Sequence, residues 1–498
     1  MLRKMELFLN AILIVVLAHL TLGVILWLRV RNLYSYPGLL GFPVIGNLYY
    51  FYRTLFLGTM DSMEKHMIRV AEKYGKNGLC FHWVYGFSKL VIVSSPQIVK
   101  EIAFHPNLSD KPDMMYGGFN GYLKGPFVSS RSDDLWKQRR KEYNTCIKKT
   151  HIDSHYSITF IKCANKFVES MLDSPVAFNA HMETVGVVFK VTMETMFGIE
   201  SSTVDNPDLM KIMAAFPILG SLVVANPKLG GLILTILRPL DDIFLGRATA
   251  MRKLFMEGIE FAKSLNQDHL SANGELLLSM EIVTRNRKNN ESKTDLVMEI
   301  HELFLTSTNT TASLLSSAMV FLAVLPDIQE RAWKEQYEIF GNDNRDPTID
   351  DLIQMLFLDR FIKECLRFIS PPFVGKVATG DINIDGMTIP SGALVIYLMR
   401  YMRMDPNHWK NPNVFDPDRF LEETDTFKYC YTPFGIGIRN CPGYYFATAL
   451  IKIMLSKILR RLKLRPVEKD LQFSDLQFES CIMIELKNPP MLLVKERT

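Results

Sequence analysis

The sequence predicts a mostly α-helical chain with small β-sheets, and three observations lead there. "SMEKHMIRVAEKYG", "SITFIKCANKFVESML" and "QERAWKEQYEIFG" repeat apolar residues at helical spacing and end near glycine or proline. Period-two alternation is confined to short patches: "KLVIVSS", "GDINIDGMTIPSGALVIY" and the final "MIEL…MLLVKE". A long helix is expected from about Asp295 to Val324, where Pro326 stops it.

A chain of 498 residues can bury a large core, as one large domain or two to three smaller ones. Its 48% hydrophobic and 22% charged residues are those of an ordinary globular protein. A net charge of +4, from 57 basic against 53 acidic residues, is too mild to argue for nucleic acid as a partner. There is no internal repeat and no low-complexity tract. Seven cysteines, odd in number and never in a CxxC pair, argue against a disulfide framework and a structural zinc site. A reducing compartment is the simpler reading.

At the N-terminus, "LFLNAILIVVLAHLTLGVILWL" (7–28) carries no charge. As a helix it spans ~33 Å, enough for a bilayer core of about 30 Å. A cleaved signal peptide is the rival, but its apolar region is shorter and ends in small residues. The run stops at Trp27, Arg29 and Arg31, an aromatic and basic interface anchor, so a retained membrane anchor over 1–30 is favoured. Arg3 and Lys4 flank the other end, and charge alone leaves the orientation open. "YSYPGLLGFPVIGN" then makes a proline-rich, turn-rich connector over 31–50, either a hinge or a plain linker. The remainder, 51–498, reads as the globular part of the chain. Within it, "FPILGSLVVANPKLGGLILTILRPL" (216–240) is apolar but broken by prolines and glycines, a core helix pair or a monotopic membrane contact.

The long helix holds "LFLTSTNTTASLL", six consecutive polar residues, Thr306 to Thr311, inside an apolar surround. Such hydroxyls can bond their own helix carbonyls and bend it. The block is either a polar face or a hydroxyl-rich notch that binds a small polar ligand or relays protons. Elsewhere, "DLWKQRRKE" puts Trp136 and Arg140 one turn apart, "FIKECLRF" puts Glu364 and Arg367 three apart, and "FDPDRF" places Arg419 in a loop. Each alone is explained by a surface ion pair. His151 and His155 of "HIDSH" have no third ligand nearby and read as solvated. "FGIGIRNCPG" (434–443) sets Cys441 in a glycine-rich run, and there a metal ligand, a nucleophile and a buried cysteine compete.

In this order the pieces stop being independent. Anchor, proline-rich hinge, WxxxR, long helix with a threonine pair, ExxR, an FxPxRF-like loop and FxxGxRxCxG follow one another. The chain resembles the cytochrome P450 family of haem-thiolate monooxygenases over essentially its full length. Phe434, Gly437, Arg439, Cys441 and Gly443 fill every fixed position of the last pattern.

The resemblance implies the cytochrome P450 fold and a non-covalently held haem b whose iron takes Cys441 as its axial thiolate ligand. Such a ligand pushes electron density towards bound oxygen. Backbone amides should hold the thiolate charge, Gly435 and Gly437 should permit the tight turn, and Phe434 should shield the sulfur. Gly443 would let the next helix approach the ring. Arg439, Trp136 and Arg140 would serve the haem propionates, with Lys376 where many relatives have arginine. Glu364, Arg367 and Arg419 look like the family's buried charge triad, structural in role.

Over the oxygen side the family pattern is (A/G)-G-x-(D/E)-T-(T/S). Thr310 matches its proton-delivering hydroxyl, whereas Asn309 stands at the acid position and Ser307 at a glycine position. An amide cannot ionise, so delivery would need water or another relay. "MEIHELFLTSTNTTAS" is most similar to the animal branch containing the fatty-acid omega-hydroxylases. Thr306 occupies the place of the glutamate that esterifies a haem methyl there.

The activity implied is oxygen insertion into an apolar substrate (lipid, fatty acid, sterol or xenobiotic). It uses O2 and NADPH electrons from NADPH–cytochrome P450 reductase, with cytochrome b5 as a second candidate donor and no nucleic acid. The location implied is the endoplasmic-reticulum membrane, single-pass, with the catalytic domain cytosolic. Two alternatives stay open: a reductase-independent peroxide isomerase or dehydratase, and a non-catalytic haem-binding protein. The loop over 107–130, Phe304, Ser307, Phe373 and Met483 are expected to line the substrate pocket.

Overall fold

The computed structural model describes residues 60–83, 89–112, 131–173, 176–198, 293–422 and 427–497, with scattered residues nearer the N-terminus. Helix α1 (Met60–Tyr74) buries Met63, Met67 and Val70 and leads into β1 (Leu79–Trp83) and β2 (Lys89–Val93). Helix α2 (Pro96–Ile102) follows, and α3 (Asp134–Cys146) is capped by the Asp133 carboxylate, which accepts from the Trp136 amide at 2.8 Å. That cap fixes the turn carrying Trp136 and Arg140. Helix α4 (Ser157–Asp173) and strand β3 (Phe178–Asn179) precede α5 (Ala180–Phe197), which ends on left-handed Gly198.

Helix α6 (Lys293–Val324) runs unbroken through the hydroxyl block. From Leu303 to Val324 apolar residues on all its sides are buried, as for a helix enclosed by neighbours. It packs along α5 and is tied to α3 by the Arg139–Glu299 ion pair, 2.9 Å long and buried. Helices α7 (Pro326–Phe340) and α8 (Leu356–Ile369) pack against it, and α9 (Tyr444–Arg461) lies across α4. Phe321, Phe368, Phe415 and Phe473 interlock at ring separations of 5.2–6.3 Å where α6, α8 and the later loops meet.

Strands β4 (Val374–Val377), β5 (Ile382–Ile384), β6 (Met387–Ile389) and β7 (Leu394–Tyr397) follow α8, and β8 (Leu462–Pro466) follows α9. Strands β9 (Phe478–Ser480), β10 (Ile484–Leu486) and β11 (Met491–Glu496) close the chain. The main sheet has the order β1-β2-β7-β4, with β2 and β7 parallel, and β3-β11-β8 forms a second sheet. Pairs β5–β6 and β9–β10 are separate hairpins. The sequence patterning anticipates β2, β5, β6, β7, β10 and β11. It misses β1, β3, β4, β8 and β9, whose short runs show no distinct alternation.

The expected anchor over 1–30 falls largely outside the described residues. Those described within it, including Leu13, Ile14, Leu17 and Leu20, are helical and exposed. Among the described residues no single helix is long and apolar enough to cross a membrane. Of the connector over 31–50, Tyr36, Pro37 and Gly38 are docked: the Phe81 amide donates to the Pro37 carbonyl at 2.8 Å, and Tyr36 packs on the Phe81 ring. A Cβ on Gly38 would meet the Phe81 carbonyl oxygen at 1.9 Å, so this approach requires glycine. The stretch 216–240 and most of the loop over 107–130 lie outside the described residues.

Candidate functional site

The cysteine loop is a closed hook. The Cys441 amide donates to the Phe434 carbonyl at 2.8 Å, the Gly435 amide to Thr432 at 2.9 Å and the Asn440 amide to Gly437 at 3.1 Å. Gly435 and Gly437 adopt φ of 75° and 82°, left-handed values that other L-residues rarely take. At Gly437 a Cβ would also lie 2.4 Å from the Ala103 carbonyl oxygen, so α2 seats the hook from behind. Helix α9 starts right after Gly443, the residue at its N-cap.

The Cys441 side chain has open space before it, yet burial pushes its thiol pKa up. Both hold together if the sulfur faces an internal space rather than bulk water. The Gly443 backbone amide, Arg140 and Lys111 act in the opposite direction and favour the thiolate. The other described cysteines are buried, and burial drives Cys80, Cys163, Cys365 and Cys430 towards the neutral thiol. Cys441 alone among the described cysteines combines access with cationic neighbours.

Arg140 and Lys111 act on Cys441, and Arg439 and Lys376 act in turn on Lys111. Arg439 lies over the Trp136 ring at 4.6 Å and donates from Nη1 to the Ser132 hydroxyl at 3.1 Å. Arg140 donates from Nη2 to the Asn440 carbonyl at 2.7 Å and its Oδ1 at 3.0 Å, so it clamps the loop itself. Lys376, on β4, is pushed down to about 7 by burial and then by the Arg439 charge. Lys111 is likewise pushed down to about 7 by burial, Arg439 and Lys376, with Glu302 and Cys441 opposing. Cations crowded so that two lysines resist protonation fit a ligand with two carboxylates, as haem has. Lys111 is the site residue that sequence reading missed as a cation. A lone lysine in "SDKPD" has no periodic signal, and only the fold brings it to Arg439 and Cys441.

On α6 the hydroxyls fold back onto the helix. Thr306 donates to the Glu302 carbonyl, Ser307 to Leu303 and Thr310 to Thr306, each at 2.8 Å. The Asn309 amide donates to Leu305 at 3.1 Å, while its Oδ1 is buried without a hydrogen-bond partner. A buried orphan acceptor beside Thr310 is a place for an ordered water.

Glu364, Arg367 and Arg419 meet in the core. Arg367 donates to Glu364 at 2.8 and 2.9 Å and Arg419 at 3.0 Å, and the Asp416 amide adds a bond at 2.9 Å. Of the expected pocket residues, Phe373 and Met483 are buried, and Ser307 is half-buried near Thr192. Phe304 requires a correction. It is fully enclosed, with its ring 6.2 Å from Phe189 of α5, and packs the helix pair instead of lining open space. A separate polar cavity of about 260 Å³ between α4 and the end of α9 contains none of these residues. His151 and His155 belong to no cluster of three or more ligating side chains among the described residues.

The family model described as Cytochrome P450 matches residues 37–492. Among curated proteins the chain is 27% identical to "Probable cytochrome P450 313a3" of Drosophila melanogaster, covering 95% of this chain and 96% of that one. It is 26% identical to "Cytochrome P450 4c21" of Blattella germanica, covering 93% of each. It is 24% identical to "Cytochrome P450 3A5" of Homo sapiens, covering 93% of this chain and 91% of that one.

Proposed function

The chain belongs to the cytochrome P450 family of haem-thiolate monooxygenases, and on that premise we propose that it hydroxylates an apolar lipid-like substrate at the endoplasmic-reticulum membrane. Electrons come from NADPH through a flavoprotein reductase, with cytochrome b5 as a second donor. The observation that carries this reading is the accessible Cys441 on its glycine hook, with Arg140 and Lys111 acting on the thiol and Arg439 and Lys376 acting in turn on Lys111. The exposed apolar helical residues Leu13, Ile14, Leu17, Leu20 and Leu28 near the N-terminus support an anchor, and the family resemblance is the basis for putting the catalytic domain on the cytosolic side.

Bound haem supplies oxygen activation and insertion. The protein's part is electrostatic and positional. Cys441 would hold the haem iron, its negative charge favoured by the Gly443 amide and by Arg140. Arg439, flat against Trp136, and the two buried lysines would neutralise the propionates. Thr310 would hold a proton at its Oγ1, and a water on Asn309 Oδ1 would stand in for the missing acid. Glu364, Arg367 and Arg419 would fix the chain after α8 beneath the cysteine loop.

Asn309 favours a second reading, rearrangement of a lipid hydroperoxide without reductase. One assay separates them. Hydroxylated product that requires NADPH, reductase and O2, with electrons diverted to peroxide in Thr310→Ala, supports the monooxygenase. Turnover of a lipid hydroperoxide without NADPH, unaffected by Thr310→Ala, supports the isomerase instead.

A further inference from the structure

Between Thr306 and Ser317 the long helix has hydroxyls and one amide but no ionisable side chain. Any proton used along this stretch must therefore enter from outside it. Among the described residues Glu485 reaches it, as the Ser313 hydroxyl donates to Glu485 Oε1 at 2.5 Å. Ser313 lies four residues beyond Asn309 and three beyond Thr310, so both are its neighbours on the helix surface, with about 5–6 Å between Cβ atoms. That gap suits one water, and the bare Asn309 Oδ1, the Ser313 hydroxyl and the Thr310 hydroxyl offer it three polar partners.

Glu485 sits on β10, which begins right after Met483. It is only partly covered, yet burial raises its carboxyl to about 7. Directly across the hairpin stands Glu479, half-exposed and paired in register with Glu485. Opposed residues of an antiparallel pair point to the same side. Among the described residues Glu479 is the charged group acting on Glu485; its negative charge raises the Glu485 pKa further, and the Ser313 bond opposes that.

We infer that Glu485 is the proton reservoir for Thr310, connected to it through Ser313 and one bound water and recharged from solvent through Glu479. For transfer the Ser313 hydroxyl turns from Glu485 to the water and the protonated Glu485 carboxyl donates to the Ser313 oxygen. The carboxyl proton then passes to Ser313 as the Ser313 proton moves to the water, a water proton moves to the Thr310 oxygen, and Thr310 gives up its own proton. Glu479 then returns a proton to the Glu485 carboxylate. Glu485 touches neither substrate nor cofactor, so it is a positioning residue. The inference rests on the monooxygenase reading.

The test uses the full-length haem-loaded protein with its reductase. In pH-difference infrared spectra the parent should show a protonated-carboxyl band that titrates near pH 7, and Glu485→Gln should lack it. Oxygen-dependent turnover of the parent should fall as pH rises through this range. Glu485→Gln should lose that limb and turn over more slowly, on the order of 10²-fold. Glu485→Asp should restore part of it. Ser313→Ala should keep the band and lose coupling, which separates the relay from a folding defect. An unchanged infrared titration in Glu485→Gln, or an unchanged pH profile in both variants, overturns the relay. Loss of the thiolate spectrum in the parent would overturn the monooxygenase reading instead.

Discussion

The Arg439 guanidinium lies 4.6 Å from the centroid of the Trp136 ring, joining two motifs 303 positions apart. WxxxR and RxC are thus one unit, because the flat cation is held by stacking and by the Ser132 hydroxyl. Arg439→Ala should cut haem retention severalfold while the fold, read by circular dichroism, stays intact. Arg439→Lys, which keeps charge but not the planar face, should fall between. Haem content equal to the parent in both variants would refute the role.

Breaking the core triad should act on folding. Glu364→Gln leaves Arg367, fully buried, against a neutral partner. Removing one partner of a buried pair costs about 3–5 kcal/mol. Soluble yield and the denaturant midpoint should both drop. Wild-type values for both would contradict a structural triad.

Two glycines separate backbone strain from collision. Gly437→Ala meets both the φ of 82° and the Ala103 carbonyl, whereas Gly386→Ala meets φ of 74° with nothing within 4 Å. Strain alone costs about 1–2 kcal/mol. Gly386→Ala should therefore lower the melting temperature slightly and keep haem, while Gly437→Ala should lose haem as well. Equal behaviour of the two would remove the argument that α2 seats the hook.

Acid should loosen the β1 corner. Burial, with Arg69 nearby, lowers His66 to about 4, and burial, with His66 nearby, lowers His82 to about 3. Folded values below the unfolded one mean that stability is fully present above the unfolded histidine pKa and is lost as pH falls towards the folded values. By pH 5 each histidine costs about 2 kcal/mol. The urea midpoint should fall between pH 7 and pH 5, and His82→Phe should flatten that fall. The same slope in His82→Phe would show that His82 is not responsible.

How far the sequence could be read depended on how local each signal was. The α1, α4 and α7 helices were legible because their periodicity runs over several turns, and α6 because its long apolar run ends at Pro326. Cys441, Glu364 and Arg367 were legible because the motif residues are neighbours in the chain. Lys111 and Glu485 were not, since each acquires its role only from packing: Lys111 against Arg439, Glu485 against Ser313. Phe304 misled for the converse reason. A helix position near Thr310 suggests the pocket, but its side turns to Phe189 on α5.

The central claim is an ionised Cys441 sulfur bonded to haem iron. The direct measurement is the absorption of the dithionite-reduced, carbon-monoxide-treated protein beside its Cys441→Ser variant. The parent should show the red-shifted Soret band of a thiolate-bound haem, and the variant should lose it. An unshifted band in the folded parent, or the same red-shifted band in the serine variant, would contradict the claim.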